Sequence, residues 1–199
     1  SPLAPHTHIH HDDGAPALFD GWSAQIAPGV TQVVGATGSG KTTLLRVLAG
    51  ELPAAGHVVL EGVDLAAAPD RYRQQVFYID PSTERFHQQT ARDCLAALGA
   101  GADRAAALVQ GFGLAPHLDK ALYMLSTGSR RKVWLAAALV SDRPLVLLDD
   151  PAAALDAGST RCLWQAVADR AGHGGRRLLI ASSEPLDHLP LAGVISLPV

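Results

Sequence analysis

Apolar runs broken by glycine and proline predict an alternation of short buried strands and helices along this chain. Residues 30–34 form an apolar run between Pro28-Gly29 and Gly35, the length of a buried strand. Residues 42–48 carry apolar positions at helical spacing, and Gly50 followed by Pro53 stops that helix. Further strands are expected at 57–60, 76–79, 145–148, 178–181 and 194–197, with weaker edge strands at 7–11 and 18–26. The four aliphatic residues 145–148 demand burial on both faces, as in a parallel sheet.

Between 80 and 139 the pattern changes to alanine-rich helical periods separated by glycine. Thr90 with Asp93 three residues on predicts a capped helix through Leu98. A second helix is expected at 102–110, closed by Gly111 and Gly113, and a third at 129–139 with Val133, Leu135, Ala136 and Leu139 on one buried stripe. A last helix is expected at 158–171. The expectation is one domain, 1–199, whose α/β core (1–79 and 140–199) has a mostly parallel sheet and carries a helical insert at about 80–139.

Composition narrows the function classes. The 199 residues suffice for one sizeable core. Hydrophobic residues make up 48% of the chain, yet no apolar stretch approaches the roughly 20 residues of a membrane span. A net charge of −3 gives no basic field for nucleic acid, and Arg130-Arg131-Lys132 is the one dense basic cluster. Cys94 and Cys162 have neither disulfide-framework nor metal spacing, so reduced thiols are expected. His6, His8, His10 and His11 lack further ligands at fixed offsets and read as an exposed or edge-strand segment. Residues 1–14 contain no apolar core of a signal peptide.

The chemistry concentrates in Gly35-Ala36-Thr37-Gly38-Ser39-Gly40-Lys41-Thr42, which fits the phosphate-loop spacing G-x-x-x-x-G-K-[ST] between a strand and a helix. Glycines let consecutive amides turn inward around phosphate oxygens, and the helix start adds a positive dipole end. Lys41 is expected to reach the β- and γ-phosphates and the Thr42 hydroxyl to ligate Mg²⁺, with Thr43 completing the binding set. Asp149, after the 145–148 strand, is the expected second holder of the metal.

Two later stretches add a resemblance. Leu125-Ser126-Thr127-Gly128-Ser129 before a basic helix resembles the L-S-G-G-Q signature of ATP-binding-cassette (ABC) ATPases, with Thr127 and Ser129 in place of a glycine-like position and the glutamine. Leu145-Val146-Leu147-Leu148-Asp149-Asp150-Pro151 resembles the family's Walker B strand, and Ala153-Ala154-Leu155-Asp156 its D-loop. The resemblance implies a P-loop NTPase (RecA-like) core with an ABC-type helical subdomain. It also implies ATP and Mg²⁺ as bound cofactors, and a head-to-tail dimer in which Ser126 and Gly128 of one cassette face the nucleotide of another. The second nucleotide-binding domain is the same chain or a different one. A separate transmembrane subunit is implied as partner, which puts the chain in the cytoplasm at the inner face of the membrane. Nucleic acid is not an expected partner.

Three positions depart from the family's pattern. Asp150 stands where the catalytic glutamate falls, one methylene shorter, and Ser183 stands where the switch histidine falls. No glutamine precedes Gln88 in the Q-loop region, which aligns best on Asp80. The expected function is therefore that of a transporter ATPase subunit with slow hydrolysis. The alternative is a nucleotide-gated regulatory module with little or none.

Overall fold

The computed structural model describes residues 7–9, 24–36, 40–53 and 58–197. In chain order these form β1 (Thr7–Ile9), β2 (Ala24–Ile26), β3 (Gly29–Val34), α1 (Lys41–Leu48), β4 (Val58–Leu60), β5 (Val63–Asp64), α2 (Pro69–Arg73) and β6 (Val76–Phe77). Next come α3 (Ala91–Ala97), α4 (Ala106–Gly111), α5 (Thr127–Leu139), β7 (Leu145–Asp149), α6 (Ala157–Ala171), β8 (Arg177–Ala181) and β9 (Leu191–Ser196). They fall into two compact units, one of Ser1–Tyr78, Arg143–Asp150 and Ala171–Val199, the other of Ile79–Asp142 and Pro151–Arg170.

The first unit holds a parallel sheet in the order β6-β7-β8-β3-β9 and an antiparallel sheet in the order β2-β1-β4-β5. Every neighbouring pair of the five-stranded sheet is parallel. Such a sheet must be covered on both faces, which explains the uninterrupted aliphatic strand β7. Leu44, Leu45, Val47 and Leu48 of α1 lock into the core formed with Val33, Val76, Leu147, Leu179 and Ala181. Buried Tyr72 of α2 donates its hydroxyl to Leu48 O, closing the end of α1.

Arg177 is fully buried at the start of β8 and ties the two sheets together. Its guanidinium donates to Ile26 O at 2.9 Å and to Glu61 Oε1 at 3.0 Å. Burial lowers its pKa, against the opposing pull of the Glu61 carboxylate.

In the second unit α5 is the hub, buried continuously from Val133 to Leu139 rather than along one stripe. Ala91, Cys94 and Leu95 of α3 and Leu108 and Val109 of α4 belong to the same unit's buried set. Arg170 of α6 is buried and donates to Ser141 O at 2.6 Å. The two cysteines are free, and burial pushes the Cys94 thiol up to about 12.

Several element bounds differ from the sequence expectation. The helix expected at 102–110 begins only at Ala106, because Gly101 opens a turn closed by Ala105 N donating to Gly101 O. Asp149 is the last residue of β7, paired with Ala181, rather than a residue beyond the strand. β5 and α2 were not expected; Pro69, whose fixed φ suits a first helical turn, was the available signal. The expected strand at 7–11 is seen at Thr7–Ile9 and that at 18–26 at Ala24–Ile26, while His6, His10, His11, His57 and residues 18–23 lie outside the described residues.

Candidate phosphate-binding site

β3 delivers the chain directly into the glycine-rich loop. Thr37, Gly38 and Ser39 lie outside the described residues; Gly35, Ala36 and Gly40 flank them. Gly40 holds φ 100° at the start of α1, a left-handed conformation that only glycine takes without strain, and α1 has no side-chain cap there. The first-turn amides of an α-helix have no helical acceptor, so α1 presents donors and a positive dipole end at this corner. Lys41 Nζ donates to Gly35 O and to Ala36 O, the latter at 3.1 Å.

The parallel register places the end of β7 beside the start of α1. Thr42 Oγ1 donates to Asp149 Oδ2 at 2.8 Å across 107 residues of sequence. Asp150 follows in a left-handed conformation, φ 46°, its N–H donating to Ala181 O at 2.8 Å. A cavity of about 330 Å³ is lined by Gly40, Lys41, Thr42, Thr43, Asp149, Asp150 and Ser183. Seven of the residues singled out from sequence thus share one site. Hard oxygen donors converge there, as a magnesium ion requires: the Thr42 hydroxyl and the Asp149 carboxylate already touch.

The remaining expected residues belong to the second unit. Asp80 caps its own turn, its Oδ1 accepting from Ser82 N at 2.8 Å and Ser82 Oγ at 2.7 Å. Ser126 is the N-cap of α5, accepting from Ser129 N at 3.1 Å. A Cβ at Gly128 would lie 2.8 Å from Ala154 O, so glycine is needed for the signature and D-loop stretches to approach. Asp156 caps α6 through Ser159 N at 2.8 Å and pairs with Lys132 Nζ at 3.1 Å. Those bonds, the Ser159 amide first, lower its carboxyl to about 2. Sequence reading missed the Lys132–Asp156 pair. It also missed Gln32, a polar residue inside the run read as apolar, which was itself the signal. Among the described residues no cluster of metal-ligating side chains is found, and no helix is long and apolar enough to cross a membrane.

Comparison with known proteins settles the family. The profile of the ABC transporter family matches residues 19–153, and the chain is 35% identical over 179 residues to a cytochrome c biogenesis ATP-binding export protein of Pseudomonas aeruginosa, covering 86% of this chain and 88% of that one. The chain belongs to the ABC transporter ATP-binding family. A second relative of this ABC ATPase is an Fe(3+) ion import ATP-binding protein of Mesorhizobium japonicum, 32% identical over 94% of this chain; the chain spans 55% of that relative's length. Among solved structures, an ATP-binding subunit of an ABC transporter matches with TM-score 0.77 at 20% identity, covering 90% of this chain and 79% of the other. An ATP-binding cassette of an ABC transporter in its ADP conformation matches with TM-score 0.67 at 20% identity, covering 92% and 82%. The expected mixed α/β P-loop fold with a largely parallel sheet is the fold observed.

Proposed function

We propose that this chain binds Mg-ATP at the Gly40–Asp150 corner and hydrolyses it slowly as the nucleotide-binding subunit of a transporter. The observation that carries the reading is the convergence of the α1 N-terminus, Lys41, Thr42, Asp149 and Asp150 on one cavity. Lys41 and the loop amides bind the phosphates, and Asp150 holds the attacking water as general base. When bound, Mg²⁺, held by Thr42 and Asp149, neutralises phosphate charge. The proposed organisation keeps 1–79 and 140–199 as the nucleotide-binding core, with about 80–139 as its helical subdomain.

The partners proposed are a second nucleotide-binding domain, of this chain or another, and a separate membrane subunit that holds the protein at the inner face of the membrane. Ser126 and Gly128 would face the nucleotide of the second domain, and Asp80 would take the Q-loop position. Asp150 and Ser183, standing for a glutamate and a histidine, favour the slow rate. They equally support a second reading, a nucleotide-gated regulatory module with little hydrolysis.

Calorimetry with Mg-ATP tests the site: Lys41→Ala is expected to weaken binding on the order of tenfold or more, since a charge-assisted bond contributes about 1.5–3 kcal/mol. An unchanged dissociation constant on folded protein places ATP elsewhere. Mixing Ser126→Arg with Lys41→Ala chains tests the dimer, because one intact composite site should restore ATP-dependent association. If wild type associates and the mixture never does, the head-to-tail arrangement is wrong.

A further inference from the structure

Gln32 is the anomaly of β3. It is 3% exposed in the middle of a strand paired on both sides, where a polar side chain persists only with its hydrogen bonds made. Both bonds leave the strand. Nε2 donates to Glu184 O at 2.7 Å, and Oε1 accepts from Leu186 N at 3.3 Å. One carboxamide therefore grips the backbone on either side of Pro185.

Ser182 adds an inner staple, its Oγ donating to Glu184 O at 2.9 Å and accepting from Glu184 N at 3.2 Å. Its own N–H donates to Val33 O at 3.1 Å, the residue after Gln32. Ser183 sits inside this braced turn and is the residue of the turn that lines the cavity with Lys41, Thr42, Asp149 and Asp150. Since Gln32 lies three residues before Gly35 on an interior strand, the brace references the turn to the same strand that leads into the phosphate loop.

We propose that Gln32 is a positioning residue for the terminal phosphate of bound ATP: its carboxamide fixes turn 182–186 so that the Ser183 hydroxyl is presented to the cavity. This rests on the cavity being the ATP site. A hydroxyl held in place can donate one hydrogen bond to a terminal phosphoryl oxygen, a partner that ADP lacks. Gln32 therefore affects discrimination between triphosphate and diphosphate more than phosphate binding as such.

The test is calorimetric titration of the whole chain with the non-hydrolysable triphosphate AMP-PNP and with ADP, each with Mg²⁺. Gln32→Met keeps length and removes both bonds; it is expected to leave ADP affinity within about twofold and weaken AMP-PNP about tenfold, the scale of one charge-assisted bond. Ser183→Ala should lose the same, and the double variant should lose no more than either single one, because both act through one contact. Should Gln32→Met fail to fold, Gln32→Asn, which retracts the carboxamide by one methylene, must show the same selective loss. Equal weakening of both nucleotides, losses that multiply in the double variant, or a wild type that does not prefer AMP-PNP would each overturn the proposal. Lys41→Ala separates the two levels. If it leaves both nucleotides bound as in wild type, the cavity itself is misread; if it abolishes binding while Gln32→Met keeps the wild-type preference, the positioning role alone fails.

Discussion

Two kinds of helix start in this protein handle their exposed amides in opposite ways. α1 begins at a glycine with no side-chain cap, whereas α5 begins at Ser126 and α6 at Asp156, both of which accept from an amide of the first turn. The first arrangement leaves backbone donors for a ligand and surrounds them with a lysine, two threonines and two aspartates. The second spends its acceptors within the chain, and adds the Lys132–Asp156 ion pair and the tight Gly128–Ala154 approach. A bare helix start suits an anion that arrives and leaves; a capped one has already satisfied a first-turn donor within the chain.

The largest expected effect breaks the first region. Asp150→Asn should lower ATP turnover by about 10² or more, the scale of a positioned general base, with Mg-ATP affinity kept. Asp150→Glu combined with Ser183→His should raise turnover above wild type in a phosphate-release assay. A wild-type rate insensitive to Asp150→Asn would remove Asp150 from the chemistry and point to a partner subunit that supplies the missing groups.

Gly128→Ala probes the second region at an intermediate scale. The added methyl meets a backbone carbonyl at 2.8 Å, so overpacking should destabilise the protein by about 1–3 kcal/mol in urea denaturation. Nucleotide affinity of the monomer should be unaffected. If stability is unchanged, the approach of Ala154 to Gly128 is not a fixed feature of the fold.

The smallest effect is one of pH. The Asp156 carboxyl is lowered from 3.8 to about 2, so its stabilising contribution is complete above about pH 4 and is lost as pH falls through about 2. Asp156→Asn keeps a capping oxygen and removes the charge. Its stability deficit against wild type should be constant above pH 4 and shrink to nothing near pH 2, measured by thermal unfolding across that range. A deficit that persists unchanged at pH 2 would show that it does not arise from the Asp156 charge, which the Ser159 amide and Lys132 stabilise.

What the amino-acid order determined by itself is local. Glycine spacing before Lys41 specifies a phosphate loop because backbone freedom and the helix start lie within a few residues. Thr90 with Asp93 specifies a helix start for the same reason, and the Thr90 side chain does accept from Asp93 N at 3.1 Å. The aliphatic run of β7 announces a strand buried on both faces, and a carboxamide inside a run read as apolar marks Gln32 without naming its partner. Only the tertiary structure decided which distant groups meet. Parallel pairing of β3 with β8 and of β8 with β7 brings Asp149, Asp150 and Ser183 to Lys41 and Thr42, and joins Gln32 to a turn 152 residues away. Such contacts follow from strand register and burial summed over a whole sheet, and no short stretch of sequence carries that sum.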